Sequence, residues 1–132
     1  MNKYNYKNID ELLKFANNVV KIPKEQWQKG KTDPTQWSSE NKQIQVRDDY
    51  DDINDPAGWM EHEREHQRLD TDTSHKDNGL DYPFNNTEQH AYIQQFKYLK
   101  NKGYQFEDIF KIPTMEHKIN YKDILKKYWD MA

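Results

Sequence analysis

Only 23 of the 132 residues are Leu, Ile, Val or Phe, and that scarcity limits what the chain can bury. The share, about 17%, lies below the ~20% at which disorder becomes a live outcome. Two features oppose disorder: the formal net charge is only −3, and aromatic residues make up 14%, with four Trp and nine Tyr. Disordered chains are aromatic-poor and carry strong charge of one sign. The expectation is a single folded domain over residues 1–132, with a thin, aromatic-rich core under a polar surface (mean hydropathy −1.36). At this size about two-thirds of the unfolded surface can be buried, so a metal or a partner would add stability.

Several classes drop out. No run of 18 apolar residues occurs, so no membrane span is expected. The opening MNKYNYKNID has no apolar stretch, so a secretory signal is not expected either, and the expected location is the cytoplasm. The absence of cysteine excludes disulfides, thiolate zinc sites and cysteine nucleophiles. A pI near 5.9 argues against a dedicated nucleic-acid binder.

Charge is distributed in blocks. Residues 48–90 carry thirteen Asp/Glu against three Lys/Arg, whereas both flanking segments are net positive. Four of the five histidines, His62, His66, His75 and His90, fall in this acidic block. Carboxylates and imidazoles are both metal ligands, and a negative local potential favours a cation. A solvated acidic surface is the plainer reading of the same run.

The pattern predicts a small, mainly helical α+β domain. A first helix is expected from Ile9 to about Val20, capped by Asn8, with Ile9, Leu12, Leu13, Phe15, Ala16, Val19 and Val20 on its apolar face. Lys24 to Asn41 is polar and turn-rich, with Trp27 and Trp37 as anchors. Lys42 to Arg47 alternates polar and apolar, the mark of a short half-buried strand. A second helix is expected with Asp55 as N-cap and Pro56 at its first position, running to about Asp70. A third begins near Asn85, with Glu88 answering three residues later as in a capping box, and ends at Gly103. A helical turn over Phe106–Phe110 and a last helix from Tyr121 to about Trp129 complete the reading.

The chemistry concentrates in His62-Glu63-Arg64-Glu65-His66, an H-E-x-x-H sequence on the second helix. Residues four apart on a helix stand one turn above each other, so both imidazoles can reach one ion. Glu63, about 100° further round, stands beside that ion and is placed to take a proton from an attacking water. The helical projection puts both His on the face of Trp59 and Leu69, and turns Glu61, Arg64, Glu65 and Arg68 toward solvent. The competing reading is a charged helix whose His pair packs against aromatic rings.

Over residues 55–103 the chain resembles the H-E-x-x-H zinc metallopeptidases (zincins), and most of all the gluzincin branch, in which a Glu on a following helix completes the ligand set. Short, rich in Lys, Asn and Tyr and free of Cys, it also resembles small phage-encoded proteins bearing this motif. The resemblance implies His62 and His66 as Zn²⁺ ligands, Glu63 as general base, and a peptide or protein substrate. The chain departs from zincins between the two histidines, where Arg64 and Glu65 replace uncharged residues.

Glu88 is the preferred third ligand: it opens the next helix and shares a face with Tyr92, Phe96 and Leu99. Its other reading is the capping box alone. Asp72, six residues beyond His66, and Asp70 remain alternatives. His90 projects to the polar side, and His75 lies in a polar loop. His117, Tyr82, Tyr92 and Tyr121 are candidates for stabilising an oxyanion. The expected function is a zinc-dependent metallohydrolase, a peptidase or amidase, in which His62, His66 and Glu88 hold Zn²⁺ and leave a fourth position for water. The alternative is a structural or interaction protein, such as a virion component with viral or host protein partners, in which a metal stabilises the fold.

Overall fold

Ile44 and Val46 point into the core while Gln43, Gln45 and Arg47 stay half-exposed, and this alternation makes Gln43–Arg47 the central strand of the domain. The computed structural model describes residues 19–27, 33–51, 53, 55–70, 78–80 and 82–132. Among the described residues the strands are β1 (Val19–Ile22), β2 (Thr35–Ser38) and β3 (Gln43–Arg47), in the order β1-β3-β2. β1 pairs parallel with β3 and β2 antiparallel, with Val19 and Trp37 both opposite Ile44, and Thr35 opposite Val46. Three helices follow: α1 (Trp59–Leu69), α2 (Asn86–Asn101) and α3 (Lys122–Met131). Between α2 and α3 run two 3-10 segments, Phe106–Lys111 and Pro113–Tyr121. The domain is thus mainly helical with a small three-stranded sheet, an α+β fold. None of its helices is long and apolar enough, among the described residues, to cross a membrane.

The core is aromatic, as the composition requires. Tyr92 stacks on Tyr128, and Trp129 packs against Phe96 and Phe106, with Ile44, Val46, Leu99, Ile109, Met115 and Leu125 filling the gaps. Helix α1 lies between the sheet and α2, so it is covered on two sides. Helix α2 begins where expected: the Asn85 side chain accepts from the Glu88 backbone N–H at 2.8 Å. Gly103 follows its end in the left-handed region at φ 92°.

Four expectations need correction. Val19 and Val20 belong to β1 rather than to the end of a helix, because the β-branched run Val19-Val20 is drawn into parallel pairing with β3; the rest of that expected helix lies outside the described residues. Thr35–Ser38 is a strand within the segment read as polar and turn-rich; only Thr35 and Trp37 face inward, too short an alternation to stand out. Helix α1 starts at Trp59, three residues after Pro56, and Asp55 does not cap it. Its carboxylate instead accepts from the Thr114 backbone N–H and hydroxyl, and Gly58 at φ 82° turns the chain into the helix. Finally, Glu61 and Glu65 are buried rather than turned to solvent, whereas Arg68 is exposed.

Candidate metal centre

The one-turn spacing within α1 brings the His62 and His66 rings to 5.0 Å between centroids, tilted and directed at α2. Glu88 meets them from the first turn of α2. His62 Nε2 lies 3.1 Å from Glu88 Oε1, and His66 Nε2 lies 2.7 Å from Glu88 Oε2. The three donor atoms fall within 4.8 Å of one another. All three side chains are buried, at 3%, 0% and 0% relative exposure respectively.

The His62 ring is held on several sides. Tyr92 packs edge-on at 4.6 Å and Trp59 at 5.4 Å, while Nδ1 lies 2.8 Å from Gln95 Oε1. Glu63 faces the sheet instead: its Oε2 accepts from the Thr35 hydroxyl at 2.9 Å. Its other oxygen, Oε1, is buried without a hydrogen-bond partner among the described residues. A buried carboxylate oxygen left so is costly unless water or a ligand meets it.

Burial by itself would raise the Glu88 carboxyl. The charged forms of His62 and then His66 override it and hold the group far below the ordinary carboxylate range. Its place in the first turn of α2, where the helix dipole is positive, acts in the same direction. Burial pushes the neighbouring Glu61 up to about 8. In Glu65, hydrogen bonds from Arg68 outweigh the raising effect of burial and lower the carboxyl.

This donor set, two imidazole nitrogens and a carboxylate oxygen, is one that zinc takes, at about 2.0–2.2 Å from each atom. Bonds of that length in a tetrahedron separate the ligand atoms by roughly 3.3 Å. The observed 2.7 and 3.1 Å run to the two different oxygens of Glu88 and the donor atoms all lie within 4.8 Å of one another, a cluster small enough for one ion to reach once the side chains adjust. The residues present therefore suit the group.

The remaining candidates fall elsewhere. Asp70 closes α1 in the left-handed region, exposed, with its carboxylate on Lys42. Asp72 and His75 lie outside the described residues, and His90 is exposed. His117 is half-buried with Nε2 3.7 Å from Asp33 Oδ1. Tyr82 hydrogen-bonds both Tyr92 and Lys118, and Lys118, itself buried, pairs with Asp33 at 2.9 Å. Burial raises both tyrosine hydroxyls well above their usual range.

Three residues of the centre's surroundings went unread in the sequence: Gln95, Thr35 and Lys118. Gln95 carried a usable signal, because seven residues past Glu88 it falls within about 20° of it on the same helix face. Thr35 and Lys118 come from distant segments, and no local pattern connects them to α1. Comparison with protein-family models, curated proteins and solved structures finds no match to this chain.

Proposed function

We propose that the protein is a zinc-dependent metallohydrolase, with His62, His66 and Glu88 as the metal ligands and Glu63 as the general base. The observation that carries this reading is the convergence of a fully buried carboxylate from α2 on both imidazoles of α1. A carboxylate stripped of water needs positive charge nearby, and a divalent ion supplies it. Zinc bound there would lower the pKa of a water toward neutrality and polarise a carbonyl oxygen. Thr35 holds one oxygen of Glu63 and leaves the other, Oε1, to accept the proton that the attacking water gives up. In the cleavage of a peptide or another amide, the substrate class proposed here, Glu63 would then pass that proton to the leaving amine as the C–N bond breaks.

A second reading, a structural zinc in a non-catalytic interaction or virion protein, is favoured by the burial of all three ligands. Glu63→Gln separates the two. Purified wild-type protein should take up one zinc per chain by elemental analysis and cleave members of a peptide library. The variant should keep its zinc and fold but lose at least a hundredfold in cleavage rate, the scale of a general-base contribution. Zinc uptake with no cleavage by either protein leaves the structural reading. A wild-type chain that takes up no zinc overturns both.

A further inference from the structure

Gln95 sits behind His62, and its orientation leaves no choice of roles. Its Nε2 donates to the Ala57 carbonyl at 2.8 Å, an oxygen that can only accept, so Oε1 must be the atom facing His62. Oε1 in turn can only accept, so the 2.8 Å contact requires a proton on His62 Nδ1. With Nδ1–H committed, the Nε2 lone pair is directed at Glu88 Oε1, 3.1 Å away. Two lone pairs at that distance repel, and only a proton or a metal ion between them makes the contact favourable. We infer that Gln95 is a positioning residue of the centre: it locks His62 in the Nδ1–H form and so presents Nε2 to the ion.

This inference rests on the zinc reading but names a residue outside the ligand set. Gln95 is fully buried, and its anchor, Ala57, lies just ahead of α1, so the lock ties the ligand ring to the entry of its own helix. A hydrogen-bond partner behind a metal-binding imidazole orients the ring and raises its basicity, and losing one costs roughly 10–100-fold in metal affinity.

The test uses the full chain, with zinc affinity measured by competition against a chromophoric chelator and histidine tautomers read from long-range ¹H–¹⁵N spectra. Wild-type protein should carry a proton on His62 Nδ1 both with and without zinc, and zinc should bind at its Nε2. Gln95→Met, which keeps the volume but removes the acceptor, should lose roughly 10–100-fold in affinity and mix the tautomers. Gln95→Glu, which keeps an acceptor at Nδ1 but gives up the donor to the Ala57 carbonyl, should lose less affinity than Gln95→Met. Unchanged affinity in Gln95→Met overturns the inference, as does an equal loss in both variants or coordination through Nδ1. If Gln95→Met does not fold, the tautomer in wild type still decides. A wild-type chain that binds no zinc defeats the metal reading itself, whereas equal affinities defeat only the role of Gln95.

Discussion

A side chain with no exposed surface cannot borrow charge from water, and Glu88 has two imidazoles as its ionic partners among the described residues. Glu88→Gln keeps the shape, and the Asn85 cap bonds the backbone, so α2 should still form. Its zinc affinity should fall by more than the roughly 10–100-fold expected for a change behind a ligand, as calorimetry would measure. Acid should act in the same direction. Protons compete with the metal for both imidazoles, so affinity should fall as the solution is acidified. Binding that does not change between pH 5 and 8 would argue against histidine ligation. At this scale the histidine pair was readable in advance, because four-residue spacing is a property of the helix itself. The Thr35–Glu63 bond was not, since its partners lie 28 residues apart.

Elements are joined around the centre at two points that can be tested without metal. Gly58 enters α1 at φ 82°, and a Cβ there would stand 3.0 Å from Tyr98 Cδ2 and 3.2 Å from Gln95 Cγ. Gly58→Ala should cost about 1–3 kcal/mol, read as a lower denaturant midpoint, and by displacing Gln95 should also weaken zinc. The second junction is the Asp33–Lys118 ion pair, which joins the approach to β2 with the Pro113–Tyr121 segment. Burial would raise the Asp33 carboxyl, but its bonds to His117 and Lys118 outweigh that and bring it below its ordinary value. Folded Asp33 therefore binds fewer protons than unfolded Asp33 below about pH 5, and its contribution is complete above that range and lost as pH falls through the folded value. Asp33→Asn, which strands the buried Lys118 charge, should destabilise by roughly 3–5 kcal/mol at pH 7. Melting curves from pH 7 to pH 3 should show that deficit shrinking with acid. A deficit constant with pH would mean that Asp33 acts by packing alone. These junctions were illegible in the sequence for the reason that misplaced the start of α1: Asp55 and Pro56 have the chemistry of a helix start, but Thr114 takes the Asp55 carboxylate from 59 residues away.

Across the whole molecule, a core this poor in aliphatic residues would make any bound ion a large share of the stability. Zinc at a hundred times its Kd should add about 2.7 kcal/mol and raise Tm by roughly 10 °C, and a chelator should reverse the shift. Equal melting with zinc and with chelator would count against a metal in either role. The sequence alone determined what depends on neighbours within about one helical turn or one strand. That includes the imidazoles of His62 and His66 on one face of α1, the Asn85 start of α2, the alternation of Gln43–Arg47, and an aromatic core forced by composition. Tertiary structure alone decided the parallel pairing of Val19–Ile22, the meeting of Glu88 rather than Asp70 with the imidazoles, and the attachment of Gln95 to Ala57 and of Thr35 to Glu63. Local geometry follows from backbone sterics and side-chain periodicity, which adjacent residues carry. Contacts between distant segments depend on how α1 is wedged between sheet and α2, and that placement is a property of the packed chain as a whole.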